Sequence, residues 1–155
     1  MLYIAYGSNL NMEQMAYRCP DAKRVTTAVL KDYKLVFKGS MTGSYLTIVK
    51  SKGDMVPVGV WRISKSDEKN LDRYEGYPSF YEKHMLTIPC TDGKNHRVMV
   101  YIMHENRVIG VPRKSYVDTC LKGYEDFGFN PDILIKAEEE AHEYCKSHKV
   151  PHLWS

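Results

Sequence analysis

A short turn near the N-terminus has the residue types needed to bind an oxyanion. Residues 2–5 (Leu-Tyr-Ile-Ala) form an apolar run that predicts a buried strand, and residues 7–9 (Gly-Ser-Asn) then break that run. Helical signals follow at once, because Asn9 or Asn11 can cap a helix and Gln14 lies three residues after Asn11. A strand, a glycine-containing turn and a helix N-terminus present backbone N–H groups together. The stretch is therefore either a site for a carboxylate or a plain connecting turn.

A glutamate at the end of a second predicted helix could act as a general base. Ser64 and Asp67 resemble a capping box, and Gly76 stands where a left-handed helix cap is usual, so a helix is predicted over about 65–74. Glu75 then lies in the last turn or at its end. The helix dipole disfavours a carboxylate there by up to about 1 kcal/mol, which would raise its pKa toward the range that a base near neutral pH requires. An ordinary solvated glutamate at a frayed helix end is the alternative.

The rest of the chain must supply the elements that hold these two segments. Runs rich in β-branched and aromatic residues predict strands over residues 23–30, 33–38, 45–50, 55–63, 80–89 and 97–104. Loops are expected over residues 39–44 and 51–54. Periodicity and caps predict further helices over residues 11–18, 114–127 and about 131–147. Strands dominate the middle and helices the end, which indicates an α+β domain with a mixed sheet that could close into a small barrel.

Length, charge and cysteine usage exclude several classes of protein. The 155 residues fit a single domain over 1–155, to which the last helix could be an appendage. The formal charge of +3 is small and no basic tract stands out, so we expect no nucleic-acid partner. The apolar runs are too short to span a membrane and no leader precedes Tyr3, so we expect a cytoplasmic protein whose mature chain starts at residue 1. The four scattered cysteines are expected to be reduced thiols.

Two stretches of the chain carry a specific pattern. The first is residues 6–10 (Tyr-Gly-Ser-Asn-Leu), and the second is residues 71–78 (Leu-Asp-Arg-Tyr-Glu-Gly-Tyr-Pro), with Tyr81 downstream. Taken together, they resemble the γ-glutamylcyclotransferase-like family (AIG2-like or butirosin-biosynthesis cyclotransferase-like proteins). Further matches lie at residues 47–49, 59–61, 100–101, 112 and 116. The resemblance covers about residues 2–130, and the order of the two stretches makes it specific.

The resemblance implies a fold and a set of site residues. The fold would be a small mixed β-barrel of about five to seven strands, flanked by helices. Glu75 would be the acid/base, and Tyr116 matches a family tyrosine that lies at the substrate. The residues that correspond to the family's substrate-binding turn are Tyr3, Ile4, Ala5, Tyr6, Gly7 and Ser8, with Asn9 in support. No cofactor or metal is implied, and we expect a small γ-glutamyl substrate, no membrane partner, and a monomer or homodimer.

The implied reaction converts the γ-glutamyl group of a γ-glutamyl amide to 5-oxoproline and releases the free amine. The substrate carries its own nucleophile, the α-amino group, which is protonated at neutral pH until a base removes a proton. Glu75 would take that proton and later protonate the departing amine. The N–H groups of the turn would hold the substrate carboxylate and stabilise the oxyanion of the tetrahedral intermediate. Ser8 has no evident histidine partner in the sequence, and a serine nucleophile is not needed.

The sequence leaves the leaving amine open. Residues 43–45 (Gly-Ser-Tyr) stand where many relatives have paired glycines and a small residue, and Tyr77, Phe80 and Tyr81 cluster after Glu75. An aromatic rim could admit a bulky or apolar leaving group, although half of this cluster is expected to pack in the core. The amine could be a free amino acid, a lysine side chain or an amine of a biosynthetic intermediate.

Two other classes of function stay open at this point. One is a binding module that uses the same pocket without turnover, although the presence of Glu75 favours an enzyme. The other is a metal site near the C-terminus, where His142, Cys145, His148 and His152 are spaced by three, three and four residues. Three-residue steps carry such ligands around a helix, and a proline precedes the last histidine. This pattern favours histidines on an exposed tail over a metal site.

Overall fold

A mixed sheet of six strands carries the fold in the computed structural model, which describes residues 1–40 and 43–148. The strands are β1 (Leu2–Ala5), β2 (Lys23–Ser40), β3 (Gly43–Arg62), β4 (Tyr81–Pro89), β5 (Asn95–Met103) and β6 (Val108–Ile109). Their order across the sheet is β4-β5-β1-β3-β2-β6. Strands β1 and β5 run parallel, and the other neighbouring pairs are antiparallel. The strand that leads into the glycine turn therefore lies inside the sheet, hydrogen-bonded on both sides.

Four α-helices lie in the described residues, at the places that the sequence predicts. They are α1 (Met12–Arg18), α2 (Lys65–Glu75), α3 (Lys114–Phe127) and α4 (Asp132–Ser147), and a 3-10 helix covers Ser8–Leu10. The caps predicted at Asn11, Ser64 and Gly76 are confirmed. The Asn11 side chain accepts a hydrogen bond from the Gln14 amide, and Ser64 forms a capping box with Asp67. Gly76 ends α2 in the left-handed conformation, with φ at 64°.

Strands β2 and β3 form one long hairpin where the sequence predicts four shorter strands. The pairing runs from Lys23 opposite Arg62 to Ser40 opposite Gly43, so the loops expected over 39–44 and 51–54 are wrong for the described residues. Residues 41 and 42 of the first loop lie outside them. The pairing is irregular at Asp32, which has φ of 64° and accepts a hydrogen bond from the Gly53 amide at 3.0 Å. The turn signal at 51–54 thus marks a bulge in a continuous strand.

The sheet curls into a half-barrel, which confirms the predicted α+β class and the family fold. An isolated bridge between Ala28 and Cys90 brings β2 against the end of β4 and draws the two sides of the sheet together. Helix α4 buries Leu134 and Ala137 against this core. None of the helices in residues 1–40 and 43–148 has the length and apolar character that a membrane crossing requires.

Helix α3 approaches the turn closely, and a glycine makes that approach possible. A Cβ atom at Gly123 would lie 2.6 Å from the backbone nitrogen of Asn11 and 2.7 Å from the carbonyl carbon of Leu10. Real side chains do not tolerate such distances to backbone atoms, so α3 could not pack here with any other residue. The close packing buries Leu10 fully and supports the turn from behind.

Candidate active site

A cavity of about 280 Å³ lies where the end of β1, the end of α2 and the start of α3 meet. All the predicted site residues except Ala5 line it. Ala5 is buried in the sheet, where it pairs with Gly59 of β3. The volume is at the lower end of the range for small-molecule sites, roughly 300 Å³ upward. The fold therefore brings the turn at residues 6–9 together with Glu75, which is distant in sequence.

Glu75 reaches the turn through Asn9. The end of α2 points the glutamate at the cavity, where its Oε1 atom lies 3.4 Å from the Asn9 Nδ2 atom. The same Nδ2 atom donates a hydrogen bond of 2.8 Å to the Tyr3 hydroxyl. The Asn9 carbonyl oxygen accepts a hydrogen bond of 3.0 Å from the Trp61 indole, which fixes the backbone at this point. Asn9 thus connects the turn, the first strand and the carboxyl of α2.

Arg18 determines which way the Asn9 amide points. Its guanidinium donates to the Asn9 Oδ1 atom, and because arginine carries donors only, the amide oxygen must face Arg18 and the amide NH₂ group must face Glu75. The guanidinium also stacks on the Tyr74 ring, 3.3 Å from its centroid. The Tyr74 hydroxyl lies 3.1 Å from the Ser8 hydroxyl. One cation on α1 therefore contacts both the turn and α2.

Burial raises the pKa of Glu75 from its ordinary value of 4.5 to about 7. The Arg18 charge and the hydrogen bond from Asn9 oppose that rise. The sequence predicts the direction from the helix dipole, whereas the larger cause in the structure is the loss of solvent around the half-buried carboxyl. Burial also raises the pKa of Tyr3 and Tyr81 well above the usual range, so these neighbours stay neutral. A carboxyl with this pKa can both take up and return a proton near neutral pH.

Aromatic side chains form another part of the cavity lining, the aromatic wall, which consists of Tyr116, Tyr45 and Phe80. The Tyr116 hydroxyl accepts a hydrogen bond of 3.1 Å from the Leu46 amide. The Tyr45 ring packs edge-on against Tyr116 and against Phe80, with centroids 5.1 Å and 6.3 Å apart. Of the predicted aromatic cluster, Phe80 and Tyr81 line the cavity. Tyr81 is also core, as expected for part of that cluster, because it is 5% exposed.

Sequence reasoning missed Arg18, Tyr74 and Tyr101. Tyr101 lines the cavity and donates a hydrogen bond of 2.6 Å to Asp72, one turn before Glu75 on α2. Tyr74 directly precedes Glu75, so its position in the second family-like stretch could have identified it. No local pattern marks Arg18, because its role depends on the fold placing α1 beside α2.

The described residues contain no group of three or more histidine, cysteine or acidic side chains able to hold a metal ion. At the suggested C-terminal site, Cys145 is buried against the body of the protein. His148 stacks on Tyr144, with ring centroids 3.8 Å apart. The fourth suggested ligand, His152, lies outside the described residues.

The curled mixed sheet carries a glycine-containing turn beside a cavity whose lining, within the described residues, has a single carboxyl, that of Glu75. The chain belongs to the gamma-glutamyl cyclotransferase, AIG2-like family, whose family model matches residues 3–118. It is 34% identical over 152 residues to the gamma-glutamylcyclotransferase of Mus musculus, covering 92% of this chain and 80% of the relative. It is 39% identical over 135 residues to that of Bos taurus, covering 82% and 71%.

A solved structure of a gamma-glutamyl cyclotransferase has the same fold. It superposes with a TM-score of 0.77 at 29% sequence identity, covering 92% of this chain and 86% of the other. The resemblance that the two sequence stretches indicate is thus confirmed. The matched residues include the turn, Glu75 and Tyr116, and they end before α4 begins.

Proposed function

We propose that this protein is a γ-glutamylcyclotransferase, which cyclises the γ-glutamyl group of a small γ-glutamyl amide to 5-oxoproline and releases the free amine. The observation that carries the proposal is Glu75, a cavity-lining carboxyl whose pKa burial raises to about 7 and whose Oε1 atom lies 3.4 Å from Asn9. The reaction needs one group that takes and returns a proton, and this carboxyl has the right pKa for it. Relatives that carry the name gamma-glutamylcyclotransferase support the same activity.

The turn would bind the α-carboxylate of the substrate. Gly7, Ser8 and Asn9 line the cavity, and Ser8 opens the 3-10 helix. The first N–H groups of any helix lack an intrahelical acceptor and are available to an anion. Side-chain volume is limited here, because a Cβ atom at Gly7 would lie 3.2 Å from Leu46 Cδ1 and 3.4 Å from the Tyr116 hydroxyl. Glycine at position 7 therefore leaves space for the substrate between the turn and Tyr116.

In the proposed mechanism Glu75 moves protons between two nitrogen atoms of the substrate. Ionised Glu75 takes one proton from the α-ammonium group, and the freed nitrogen attacks the γ-carbonyl carbon to close a five-membered ring. The negative charge that develops on the carbonyl oxygen is stabilised by N–H donors of the turn. Glu75 then gives its proton to the amide nitrogen, and the bond between that nitrogen and the carbonyl carbon breaks as the carbonyl re-forms. Giving up that proton returns Glu75 to its ionised starting state, and a second proton passes from the ring nitrogen to the released amine.

Holding the two ends of the substrate accounts for much of the expected acceleration. A γ-glutamyl group is a flexible chain, and ring closure requires its α-nitrogen to meet its γ-carbonyl. Fixing the α-carboxylate at the turn and the α-nitrogen at Glu75 would pre-form this geometry, which is worth several kcal/mol in comparable intramolecular reactions. The network through Asn9, Tyr3 and Arg18 keeps these two contacts at a constant separation.

We further propose that the protein is cytoplasmic, acts as a monomer or homodimer, and has a small molecule rather than nucleic acid as its partner. The small formal charge of +3 supports the absence of a nucleic-acid partner. The four cysteines are unpaired and buried, as expected of a protein from a reducing compartment.

The proposal is tested by release of 5-oxoproline from a panel of γ-glutamyl amides, with wild type beside Glu75→Gln. Glutamine is nearly isosteric but cannot accept the proton, so kcat should fall by at least about a hundredfold. Glu139→Gln, an exposed change on α4, serves as the matched control and should retain full activity.

Two outcomes would contradict the proposal. Binding of γ-glutamyl compounds by wild type without any turnover would make the protein a binding module. Equal activity of wild type and Glu75→Gln would remove Glu75 from the proton transfer.

A further inference from the structure

We infer that the leaving amine of the substrate carries an aromatic or long apolar group, which lies against Tyr45 and Phe80 at the mouth of the cavity. This inference rests on the proposed function, since it concerns the second half of the same substrate. It names a class of amine that neither the family nor the position of Glu75 specifies.

Three aromatic rings form a continuous arc from the turn to the residue that follows Glu75. The arc begins at Tyr116, whose hydroxyl lies 3.4 Å from the position of a Cβ atom at Gly7. Tyr45 comes next, its ring nearly perpendicular to that of Tyr116 at 89°. Phe80 ends the arc, at 85° to Tyr45, and its Cβ atom lies 3.2 Å from the position of a Cβ atom at Gly76. The arc therefore borders the place where the γ-carbonyl must react.

The exposed part of the arc faces the amide substituent, which is the part of the substrate that the turn and Glu75 would not hold. The turn and Glu75 would hold the γ-glutamyl end, so the amide substituent must lie toward the opening. Tyr45 is 44% exposed and Phe80 is half-buried, whereas Tyr116 packs inward against Phe37 at 6.4 Å. Exposed aromatic surface at a cavity mouth is covered by an apolar substituent, with a gain of about fourfold in affinity per buried methylene group.

The two outer rings are held in place before any substrate binds. The Phe80 amide donates to the Gly76 carbonyl at 2.8 Å, and the Phe80 carbonyl accepts from the His104 amide at 3.2 Å. The Arg107 guanidinium stacks on the Phe80 ring, 4.5 Å from its centroid. Tyr45 lies in the long hairpin, paired with Lys38. Rigid rings of this kind discriminate between substituents, because they cannot relax around a small one.

The experiment compares kcat/KM for four amides of equal charge: γ-glutamylglycine, γ-glutamylalanine, γ-glutamylleucine and γ-glutamylphenylalanine. We expect wild type to turn over the leucine and phenylalanine amides at least about tenfold more efficiently than the glycine amide. Tyr45→Ala should reduce this ratio to about threefold or less, while Tyr45→Phe should keep it. Tyr17→Ala, an equal truncation at a residue on α1 that is 91% exposed, should leave every value unchanged.

Each result supports or overturns the inference. Equal turnover of the four amides, or a preference for glycine, would overturn it while leaving the proposed function intact. An unchanged ratio in Tyr45→Ala, with a far-ultraviolet spectrum that shows folded protein, would also overturn the role of this ring. If wild type and all variants failed to release 5-oxoproline from any amide, the proposed function itself would fall, and this inference with it.

Discussion

The two walls of the cavity are built in opposite ways. On one wall the polar atoms of Asn9, Tyr3 and Arg18 have partners within the protein, and a buried core supports them from behind. On the other wall Tyr45 and Phe80 present rings that still have surface open to solvent. The first wall can hold a proton donor and acceptor in fixed geometry, whereas the second offers mainly apolar ring surface. Under the two proposals made above, the polar wall would carry out the proton transfer and the aromatic wall would select the leaving amine.

The polar wall should lower the stability of the fold, and Glu75→Gln measures by how much. Burial raises the pKa of Glu75 to about 7 from the 4.5 of an ordinary glutamate, so the folded state binds the proton more tightly than the unfolded state. Below pH 4.5 Glu75 is protonated in both the folded and the unfolded state, and its burial costs no stability. The free energy of unfolding falls between pH 4.5 and 7 and reaches its full loss above pH 7. At pH 8 the glutamine variant should therefore be more stable by about 3 kcal/mol.

Urea unfolding at pH 8 and at pH 4.5 measures this difference, with Glu139→Gln as the exposed control. The gain in the free energy of unfolding should be present at pH 8 and should shrink toward zero at pH 4.5. A Glu75→Gln variant that is less stable than wild type at pH 8 would show that the carboxylate is well solvated in the fold. In that case the polar wall would not destabilise the fold through burial of Glu75.

Arg18 is expected to tune the pKa of Glu75, and Arg18→Met would reveal it in the pH profile. Wild-type kcat/KM should rise with pH through about 7, because the base must be ionised. Removing the Arg18 charge takes away an influence that lowers this pKa, so the rise should move to higher pH. We expect roughly a threefold loss at pH 6, with much less loss at pH 8.

Arg18→Lys is the matched variant, because it keeps the positive charge and loses the planar fork. Its pH profile should stay close to that of wild type. If Arg18→Met lowered activity by the same factor at every pH, Arg18 would support only the shape of the site. The contacts of Arg18 would then have no effect on the pKa of Glu75.

The sequence predicts the polar wall better than the long-range contacts that set its properties. Local caps determine α2, since Ser64, Asp67 and Gly76 each mark a helix end by short-range chemistry, and they place Glu75 correctly. The direction of the Glu75 pKa shift was predicted correctly, but its main cause, burial, depends on elements far apart in sequence. The contacts of Arg18 likewise depend on elements that are far apart in sequence. No residue next to it in the chain indicates that it will contact Asn9 and Tyr74.

The sequence gives a wrong prediction where a hairpin turn and a β-bulge require the same residue types. Residues 51–54 (Ser-Lys-Gly-Asp) have the composition of a hairpin turn, and the structure uses them as a bulge in β3 opposite Asp32. Glycine with positive φ serves both, and Gly53 has φ of 89°. What distinguishes them is the partner strand, whose pairing continues on both sides. The aromatic wall depends on this hairpin, because Tyr45 lies at its far end.

The smallest predicted effect concerns the contacts of His104, which hold the segment that carries Phe80. The His104 ring spans the gap between the segment that carries Phe80 and strand β4. Its Nε2 atom lies 2.7 Å from the Pro78 carbonyl oxygen, and its Nδ1 atom lies 3.2 Å from Glu82 Oε2. Both of these oxygens are acceptors, so both contacts are hydrogen bonds only when the two ring nitrogens each carry a proton.

His104→Leu removes this connection and should raise KM about three- to fivefold, which corresponds to the loss of one or two ordinary hydrogen bonds, with a smaller change in kcat. The reason is that we propose the Phe80 segment as the contact of the leaving group and the polar wall as the place of proton transfer. His84→Leu is the control, because His84 bonds the other oxygen of Glu82 at 2.8 Å but does not reach Pro78. Steady-state kinetics with the best amide of the panel separates the two constants. A fall in kcat by the same factor as the rise in KM would mean that the two walls move as one unit. The change at the aromatic wall would then also displace Glu75.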